Sequence, residues 1–254
     1  MLKVDVLLQG YSFTTDAGVI GFCSVVLIEG DSQRVLVDPG HVGRRIFVGP
    51  ALEQRGLTPA DIDYVVMTHA HWDHSQNIDL FPNARIAIHP LEVEYAANPH
   101  PRDFGTARYF VHTLQGREIQ HVVEGTKLEE GVSIVETPGH TRGHVSVLVE
   151  TRGGTVAISG DALPWAGSVH TGMPFIVFWD EEQAAESIQK LIKLSRVFYP
   201  GHGRPFRLDQ TNQHQYIGGS ETIRVFGTLG YGFGDFSVTI APEQPRKTQI
   251  MTPP

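Results

Sequence analysis

The stretch THAHWDHSQN, residues 68–77, decides how this sequence is interpreted. Four side chains that commonly bind metals lie within it: His69, His71, Asp73 and His74. A cluster this dense is typical of a metal site rather than of a polar loop. The apolar run DYVVMTH (63–69) predicts a strand leading into it. If that strand continued to residue 71, both of its histidines would point to the same face and could bind one ion.

The second half of the cluster requires a different geometry. Asp73 and His74 are adjacent, so they cannot share one face of a strand. We expect them in a tight turn at the start of the next helix, directed towards a neighbouring position. Two pairs of ligands with different directions predict two metal positions rather than one.

Three further ligand-type residues follow the same local pattern of an apolar strand, a glycine-containing turn and a ligand. They are His140 in TPGHTRGH, Asp161 in AISGDALP and His202 in VFYPGHG. Strand ends at one edge of a layered fold are where loops converge to form a site. We therefore expect these residues to join the cluster at 69–74.

Composition limits the kinds of partner that this protein can have. The chain has 254 residues, 41% of them hydrophobic, and a net charge of −8 without any run of Lys or Arg, which argues against nucleic acid as the main partner. No window approaches the roughly 20 apolar residues of a membrane span, and the N-terminus does not resemble a secretory leader. With Cys23 as its only cysteine, which we expect to be buried, the chain is predicted to work in the reducing cytoplasm.

Short runs rich in Val and Ile alternate with turns and a few helices, which favours an α/β layered sandwich. The predicted strands are 4–10, 23–30, 33–40, 63–69, 85–89, 118–123, 132–137, 144–150, 155–160 and 196–203. The predicted helices are 49–56, 90–98 and 180–195. We expect one domain over residues 1–240 and a loosely packed C-terminal tail over 241–254.

From about residue 20 to 206, the sequence resembles the metallo-β-lactamase superfamily. The resemblance lies in the H-x-H-x-D-H stretch, in the GH, GD and GH elements that contain His140, Asp161 and His202, and in VLVDPG (35–40). The resemblance implies a four-layer αββα sandwich and a metal-dependent hydrolase. It implies that His69, His71 and His140 bind a first metal. The second metal would be bound by the following residues, the last of them bridging both ions: Asp73, His74, His202 and Asp161.

The resemblance also implies the metal and the catalytic groups. Two Zn²⁺ ions are expected, although these nitrogen and oxygen ligands also accept Fe or Mn. A metal-bridging hydroxide would be the nucleophile, with Asp73 and Asp161 as catalytic carboxylates. Asp38 either orients a ligand or is a simple turn residue, and the sequence leaves both open.

The substrate is expected to be a small molecule, and the leading hypothesis is a carboxylic ester or lactone, as in N-acyl-homoserine lactonases. Those lactonases usually have a tyrosine three residues after the bridging Asp, where this chain has Pro164. The alternatives are a glyoxalase II-like thioesterase, a phosphodiesterase or nuclease suggested by PGHGRPF (200–206), and a di-iron redox protein. A homodimer remains open.

Two aromatic segments without a clear period, 99–116 and 164–179, are candidate pocket walls. Their histidines, His100, His112 and His170, are candidates for the same role. These segments could equally pack a second small core or a dimer face. His144 is predicted to be a structural hydrogen-bonding residue rather than a ligand.

Overall fold

The computed structural model describes residues 1–15, 18–218 and 248–251. In chain order its strands are β1 Lys3–Leu8, β2 Tyr11–Thr15, β3 Gly18–Phe22, β4 Val25–Glu29, β5 Arg34–Val37, β6 Tyr64–Val66, β7 Arg85–Ile88, β8 Ile119–His121, β9 Lys127–Glu129, β10 Val132–Glu136, β11 Val145–Thr151, β12 Gly154–Gly160, β13 Ile176–Val177, β14 Val197–Pro200, β15 Phe206–Leu208, β16 His214–Tyr216 and β17 Gln249–Ile250. Its α-helices are α1 Arg45–Glu53, α2 Trp72–Ser75, α3 Pro90–Ala97, α4 Phe110–Thr113, α5 Gly167–Thr171 and α6 Glu181–Leu194.

Two large mixed sheets form the centre of the fold. Among the described residues, the first sheet has the strand order β1-β4-β5-β6-β7-β8, and the second sheet has the strand order β16-β15-β14-β12-β11-β10-β9. Some of the strands that precede the predicted ligands are parallel neighbours. Strand β5 pairs in parallel with β6, and β12 pairs in parallel with β14. The carboxyl ends of such neighbours lie at the same edge, so the loops that follow them meet there.

Three hydrophobic clusters separate the layers. One lies between the sheets and includes Ile28 and Val147, both fully buried. A second packs helical residues such as Leu52 of α1 against the outer face of the first sheet. The third packs Ile188 and Leu191 of α6 against the outer face of the second sheet. The predicted four-layer αββα sandwich is therefore confirmed.

Helix α6 shows how sequence pattern and packing agree. Its buried positions recur at the spacing of one helix face: Ala184, Ile188 and Leu191. Asp180 caps the N-terminus by accepting a hydrogen bond from the Gln183 backbone N–H at 2.8 Å. Acidic residues in the first turn and Lys193 in the last complement the helix dipole.

Several predicted boundaries were wrong. The strand expected at 63–69 ends at Val66, so His69 and His71 do not lie on a strand. The helix expected at 49–56 begins at Arg45, because a 3-10 turn at Val42–Arg44, capped by His41, leads directly into it. Within the segment predicted as a C-terminal tail, Gln249–Ile250 form β17, which pairs in parallel with β13. Residues 241–247 and 252–254, and the proposed domain boundary at 240, lie outside the described residues.

No helix in the described part of the chain is both long and apolar enough to cross a membrane.

Candidate metal centre

The structure brings all seven predicted ligand residues into one cluster. They come from the loop after β6, from α2, from the β10–β11 connection and from the residues directly after β12 and β14: His69, His71, Asp73, His74, His140, Asp161 and His202. The expectation that Asp73 and His74 lie at a helix start is confirmed, because α2 begins at Trp72. The two sheets thus contribute to a single site.

The first group consists of His69, His71 and His140. One side-chain nitrogen of each lies within 4.8 Å of the others, and His140 Nε2 is 3.1 Å from His71 Nδ1. Two nitrogens at ~2.0–2.1 Å from one tetrahedral zinc are about 3.3–3.4 Å apart. The spacing of these imidazoles is therefore suited to a shared ion.

The second group consists of Asp73, His74 and His202. His74 Nε2 lies 3.4 Å from His202 Nε2, and His202 Nε2 lies 3.2 Å from Asp73 Oδ2. Asp161 faces both groups, since its Oδ2 is 3.6 Å from His140 Nε2 and 3.3 Å from His202 Nε2. A carboxylate in this position could be shared by two ions.

Each of the five histidines donates its outward-facing N–H to an oxygen. The acceptors are Thr68 Oγ1 for His69 (3.0 Å), Asp103 Oδ2 for His71 (3.4 Å), Asp38 Oδ2 for His74 (2.7 Å), the Ile176 carbonyl for His140 (2.7 Å) and the Tyr11 carbonyl for His202 (3.3 Å). Such bonds fix the tautomer and leave the other ring nitrogen free to bind a metal. The free nitrogens all face the centre of the cluster.

Two buried atoms in the cluster lack a hydrogen-bond partner among the described residues. They are His69 Nε2 and Asp161 Oδ1. A buried polar atom without a partner is costly, and an ion is one of the few explanations for such an atom in a folded protein. The donor set of imidazole nitrogens and carboxylate oxygens is the one that zinc accepts. The residues present therefore fit a divalent metal.

The protonation states fit a metal at the first group. Burial lowers the pKa of His69 well below its ordinary value and that of His140 to about 4, so both rings are neutral. Burial raises the pKa of Asp161, but the charges of His202 and His74 outweigh it and hold that pKa well below its usual range. Neutral imidazole and ionised carboxylate are the forms that bind metals.

In the second group, burial would lower the pKa of both histidines, but the carboxylates of Asp73 and Asp161 outweigh it. They raise the pKa of His74 to about 9 and that of His202 well above its ordinary value. A metal bound there would therefore displace a proton from each ring.

Asp38 is more than a turn residue, which settles the alternative that the sequence left open. It is 2% exposed and adopts a left-handed backbone conformation with φ 56° after β5. Its carboxylate accepts hydrogen bonds from the Thr68 N–H and hydroxyl, each at 2.8 Å, and from His74 Nδ1. Asp38 therefore holds both Thr68, at the start of the loop that contains His69 and His71, and the imidazole ring of His74.

Replacing Asp38 by alanine is expected to lower the free energy of unfolding by about 3–5 kcal/mol, because three buried donors lose their acceptor. Asn tolerates left-handed backbone and retains one acceptor oxygen, so Asp38→Asn should cost clearly less. Urea unfolding in the presence of chelator, which removes any contribution from bound metal, compares the two variants. An Asn variant as unstable as the Ala variant would contradict this account.

Two buried carboxylates behind the first group were missed by sequence reasoning. Glu92 of α3 accepts hydrogen bonds from the Ala70 N–H at 2.9 Å, the Thr141 hydroxyl at 2.8 Å and the Gly143 N–H at 2.9 Å. It thereby joins the loop that contains His69 and His71 to the loop that contains His140. The acidic residue at position 92 has no distinctive pattern in the sequence, so only the fold reveals its role.

Asp103 is the other missed carboxylate, and it lies in the segment 99–116. Its Oδ2 is 3.4 Å from His71 Nε2. Burial raises the pKa of Asp103, but hydrogen bonds from His71, Thr106 and Tyr95 lower it far more, so this side chain is ionised. No periodic pattern identifies such a residue in an irregular loop.

His144 acts as the predicted hydrogen-bonding residue. Its Nδ1 pairs with Thr137 Oγ1 at 2.8 Å, and its Nε2 accepts from the backbone N–H groups of Asp161 and Ala162 at 3.0 and 3.2 Å. It therefore fixes the turn that presents Asp161. Cys23 is fully buried, as expected.

A cavity of about 190 Å³ opens beside the second group. Its described lining consists of Ser12, Trp165, Ala166, Phe175, His202, Gly203 and Tyr216. Trp165 and Phe175 stack with ring centroids 5.3 Å apart. Trp165, Ala166 and Phe175 of the segment 164–179 thus form a pocket wall, and Phe178 packs against the rings of His71 and His140.

The histidines proposed as pocket walls lie elsewhere. None of His100, His112 and His170 is in the described lining of this cavity. His112 is exposed on α4, and His170 pairs with His214 at 3.1 Å on the surface. His100 accepts a hydrogen bond from the Arg102 N–H within its own loop.

Comparison with known proteins identifies the family. The sequence profile of the metallo-beta-lactamase superfamily matches residues 18–202. Metallo-beta-lactamase domain-containing protein 1 of Xenopus laevis is 35% identical over 215 residues, which cover 83% of this chain and 84% of that protein. An N-acyl homoserine lactonase of a Bacillus species is 31% identical over 157 residues, 59% of this chain and 60% of that one.

A solved structure supports the same fold. The AiiA mutant of B. thuringiensis with N-decanoyl-L-homoserine bound at its active site superposes with a TM-score of 0.64 at 21% identity, covering 80% of this chain and 92% of that one. The profile match includes every residue of the candidate metal centre. The chain belongs to the metallo-beta-lactamase superfamily and is a metal-dependent hydrolase.

Proposed function

We propose that this protein hydrolyses a carboxylic ester or lactone with two zinc ions. The observation that carries the proposal is the position of the aromatic cavity directly beside His202 and therefore beside the metal centre. Apolar pockets with a few polar groups next to a reactive centre are the usual form of small-molecule sites. A small acyl or alcohol group in this cavity would bring its ester bond close to the centre.

In this proposal His69, His71 and His140 hold one ion, and Asp73, His74 and His202 hold the other. Asp161 is shared between them. Zinc bound there would supply polarisation of the scissile carbonyl and activation of water at neutral pH.

The protein's own groups orient the reactants. The ionised carboxylates of Asp73 and Asp161 face the cluster and can each accept a hydrogen bond from the attacking water, which directs its lone pair towards the carbonyl carbon. Asp73 Oδ2 lies 3.2 Å from His202 Nε2, so its carboxylate is already at the cavity side of the centre.

The lining of the cavity favours a neutral acyl substrate over a phosphodiester. None of its described lining residues is a lysine or an arginine. A phosphodiester carries a charge that binding sites normally neutralise with such residues. The net charge of −8 also disfavours binding of a negatively charged phosphodiester.

The position of Pro164 separates this chain from the lactonases it resembles. The backbone carbonyl of Pro164 accepts a hydrogen bond from the His202 N–H at 2.8 Å, so the residue connects two ligand turns instead of offering a side-chain hydroxyl. Trp165 follows it into the cavity wall. We therefore expect simple aryl and short-chain acyl esters to be hydrolysed as readily as acyl-homoserine lactones.

A substrate panel tests the proposal. Zinc-reconstituted protein is assayed against lactones, aryl esters, thioesters and phosphodiesters, and kcat/KM is expected to be at least tenfold higher for esters or lactones than for the other two classes. Trp165→Ala should raise KM for aryl esters, with Trp179→Ala, an exposed tryptophan outside the described cavity lining, as the matched control. Highest activity on a thioester or phosphodiester would overturn the assignment.

A further inference from the structure

Asp103 is a fully buried carboxylate that touches a residue of the first ligand group. It lies between α3 and α4, and its side chain has 0% exposure. Its Oδ2 is 3.4 Å from His71 Nε2, the ring nitrogen that faces away from the cluster. The other ring nitrogen, Nδ1, lies 3.1 Å from His140 Nε2.

The two oxygens of Asp103 have different partners. Oδ1 accepts hydrogen bonds from the Gly105 N–H at 2.7 Å and the Thr106 N–H at 3.0 Å, which hold the loop in a tight turn. Oδ2 accepts from the Tyr95 hydroxyl and the Thr106 hydroxyl, each at 2.8 Å, in addition to His71. One oxygen therefore shapes the loop, and the other faces the ligand.

The same loop holds the backbone next to His71. The Trp72 N–H donates to the Gly105 carbonyl at 2.8 Å, and residues 71 and 106 form an antiparallel bridge. A Cβ atom on Gly105 would lie 2.9 Å from the His71 ring, so the loop packs against the imidazole as closely as a glycine allows. Asp103 is thus fixed relative to His71 by the backbone of both partners.

We propose that Asp103 is a positioning residue for the first metal position. It holds His71 in the tautomer that has its proton on Nε2, so that Nδ1 is free to face the ion. This inference rests on the proposed function in one respect, namely that His69, His71 and His140 bind a metal. It goes further by assigning control of that position to a residue outside the ligand set.

Replacement of Asp103 by asparagine separates the two roles of the carboxylate. The amide oxygen can take the place of Oδ1 and keep the turn, which places the amide NH₂ opposite His71. Since an amide NH₂ only donates, Nε2 of His71 must then accept, and the proton moves to Nδ1. A ring protonated on Nδ1 cannot bind an ion at that atom.

The test measures metal affinity rather than activity. Zinc binding is followed by competition with a chromophoric chelator, and metal content is determined after gel filtration. Wild-type protein is expected to bind two equivalents, and Asp103→Asn should bind the first-position zinc about 10–100-fold more weakly, the usual effect of losing such a partner. The affinity for the second zinc equivalent and the melting temperature of the metal-free protein should stay close to those of wild type.

Tyr95→Phe is the matched control. It removes a hydrogen bond from the same Asp103 oxygen but leaves the carboxylate and the tautomer of His71 unchanged, so both zinc affinities should stay within about threefold of wild type. An equal loss in both variants would show that loop packing is responsible and would overturn the proposal. An Asp103→Asn protein with unchanged zinc affinity at both positions would also overturn the proposal. Wild-type protein that binds no zinc would instead refute the proposed function itself.

A second measurement needs no variant. Long-range ¹H–¹⁵N spectra of the metal-free wild-type protein identify which nitrogen of each imidazole is protonated. The expected result is a His71 ring protonated on Nε2. A ring protonated on Nδ1 would overturn the inference even if Asp103→Asn failed to fold.

Discussion

Asp161→Asn is expected to lower kcat/KM by about a thousandfold, equivalent to ~4 kcal/mol. The Asp161 carboxylate lies between both ligand groups, with Oδ2 at 3.6 Å from His140 Nε2 and 3.3 Å from His202 Nε2. Asparagine has the same shape but no charge, so it is a poor shared ligand for two cations. The backbone N–H of residue 161 still donates to His144, and the fold should be retained.

The measurement combines steady-state kinetics on the best ester substrate, zinc content and circular dichroism. Glu130→Gln is the control, since it neutralises a carboxylate that is 88% exposed on the surface, and its activity should stay within twofold of wild type. An Asp161→Asn protein with more than a tenth of wild-type activity would show that a shared carboxylate is not needed.

Removal of metal has the second large expected effect. Dialysis against a strong chelator should reduce hydrolysis to below about 1% and lower the melting temperature by about 10 °C. Loss of a ligand present at a thousand times its Kd removes ~4 kcal/mol of stability. In a protein of this size each kcal/mol corresponds to roughly 2–4 °C.

The physical reason for the lower stability is that removal of the metal leaves buried ligand atoms without a partner and two carboxylates close together. Buried His69 Nε2 has no hydrogen-bond partner among the described residues, and the carboxylates of Asp73 and Asp161 both lie within 3.3 Å of His202 Nε2. Addition of zinc should restore both activity and melting temperature, and incubation with zinc-saturated chelator is the control. A metal-free protein with wild-type melting temperature and activity would contradict both the metal centre and the proposed reaction.

The residues of the candidate metal centre could be predicted because their side-chain types and local sequence pattern are distinctive. Residues such as His140 and Asp161 stand out as ligand types directly after apolar runs and glycine turns. The reason given for the pairing of His69 and His71 was nevertheless wrong. These rings meet because Glu92 and Asp38 hold the loop after β6, not because they share a strand face.

The supporting residues could not be predicted because their partners are distant in sequence. Asp103 lies 32 residues from His71, and Glu92 lies 49 and 51 residues from Thr141 and Gly143. The hairpin of β2 and β3 and the short strands β9, β15 and β16 were also missed. Strands of three to five residues stabilised by their neighbours have too little internal pattern to be recognised.

The division of the fold between its two sheets has a consequence for how the site is assembled. Of the strands that the structure describes, those of the first sheet all precede Gly125 and those of the second all follow it, with an exposed turn at Val123–Thr126 between them. A chain cut in that turn would give two fragments, one with His69 to His74 and the other with His140, Asp161 and His202. Each fragment would have only part of the ligands, so recovered hydrolysis on mixing them would report directly on the docking of one half of the molecule onto the other.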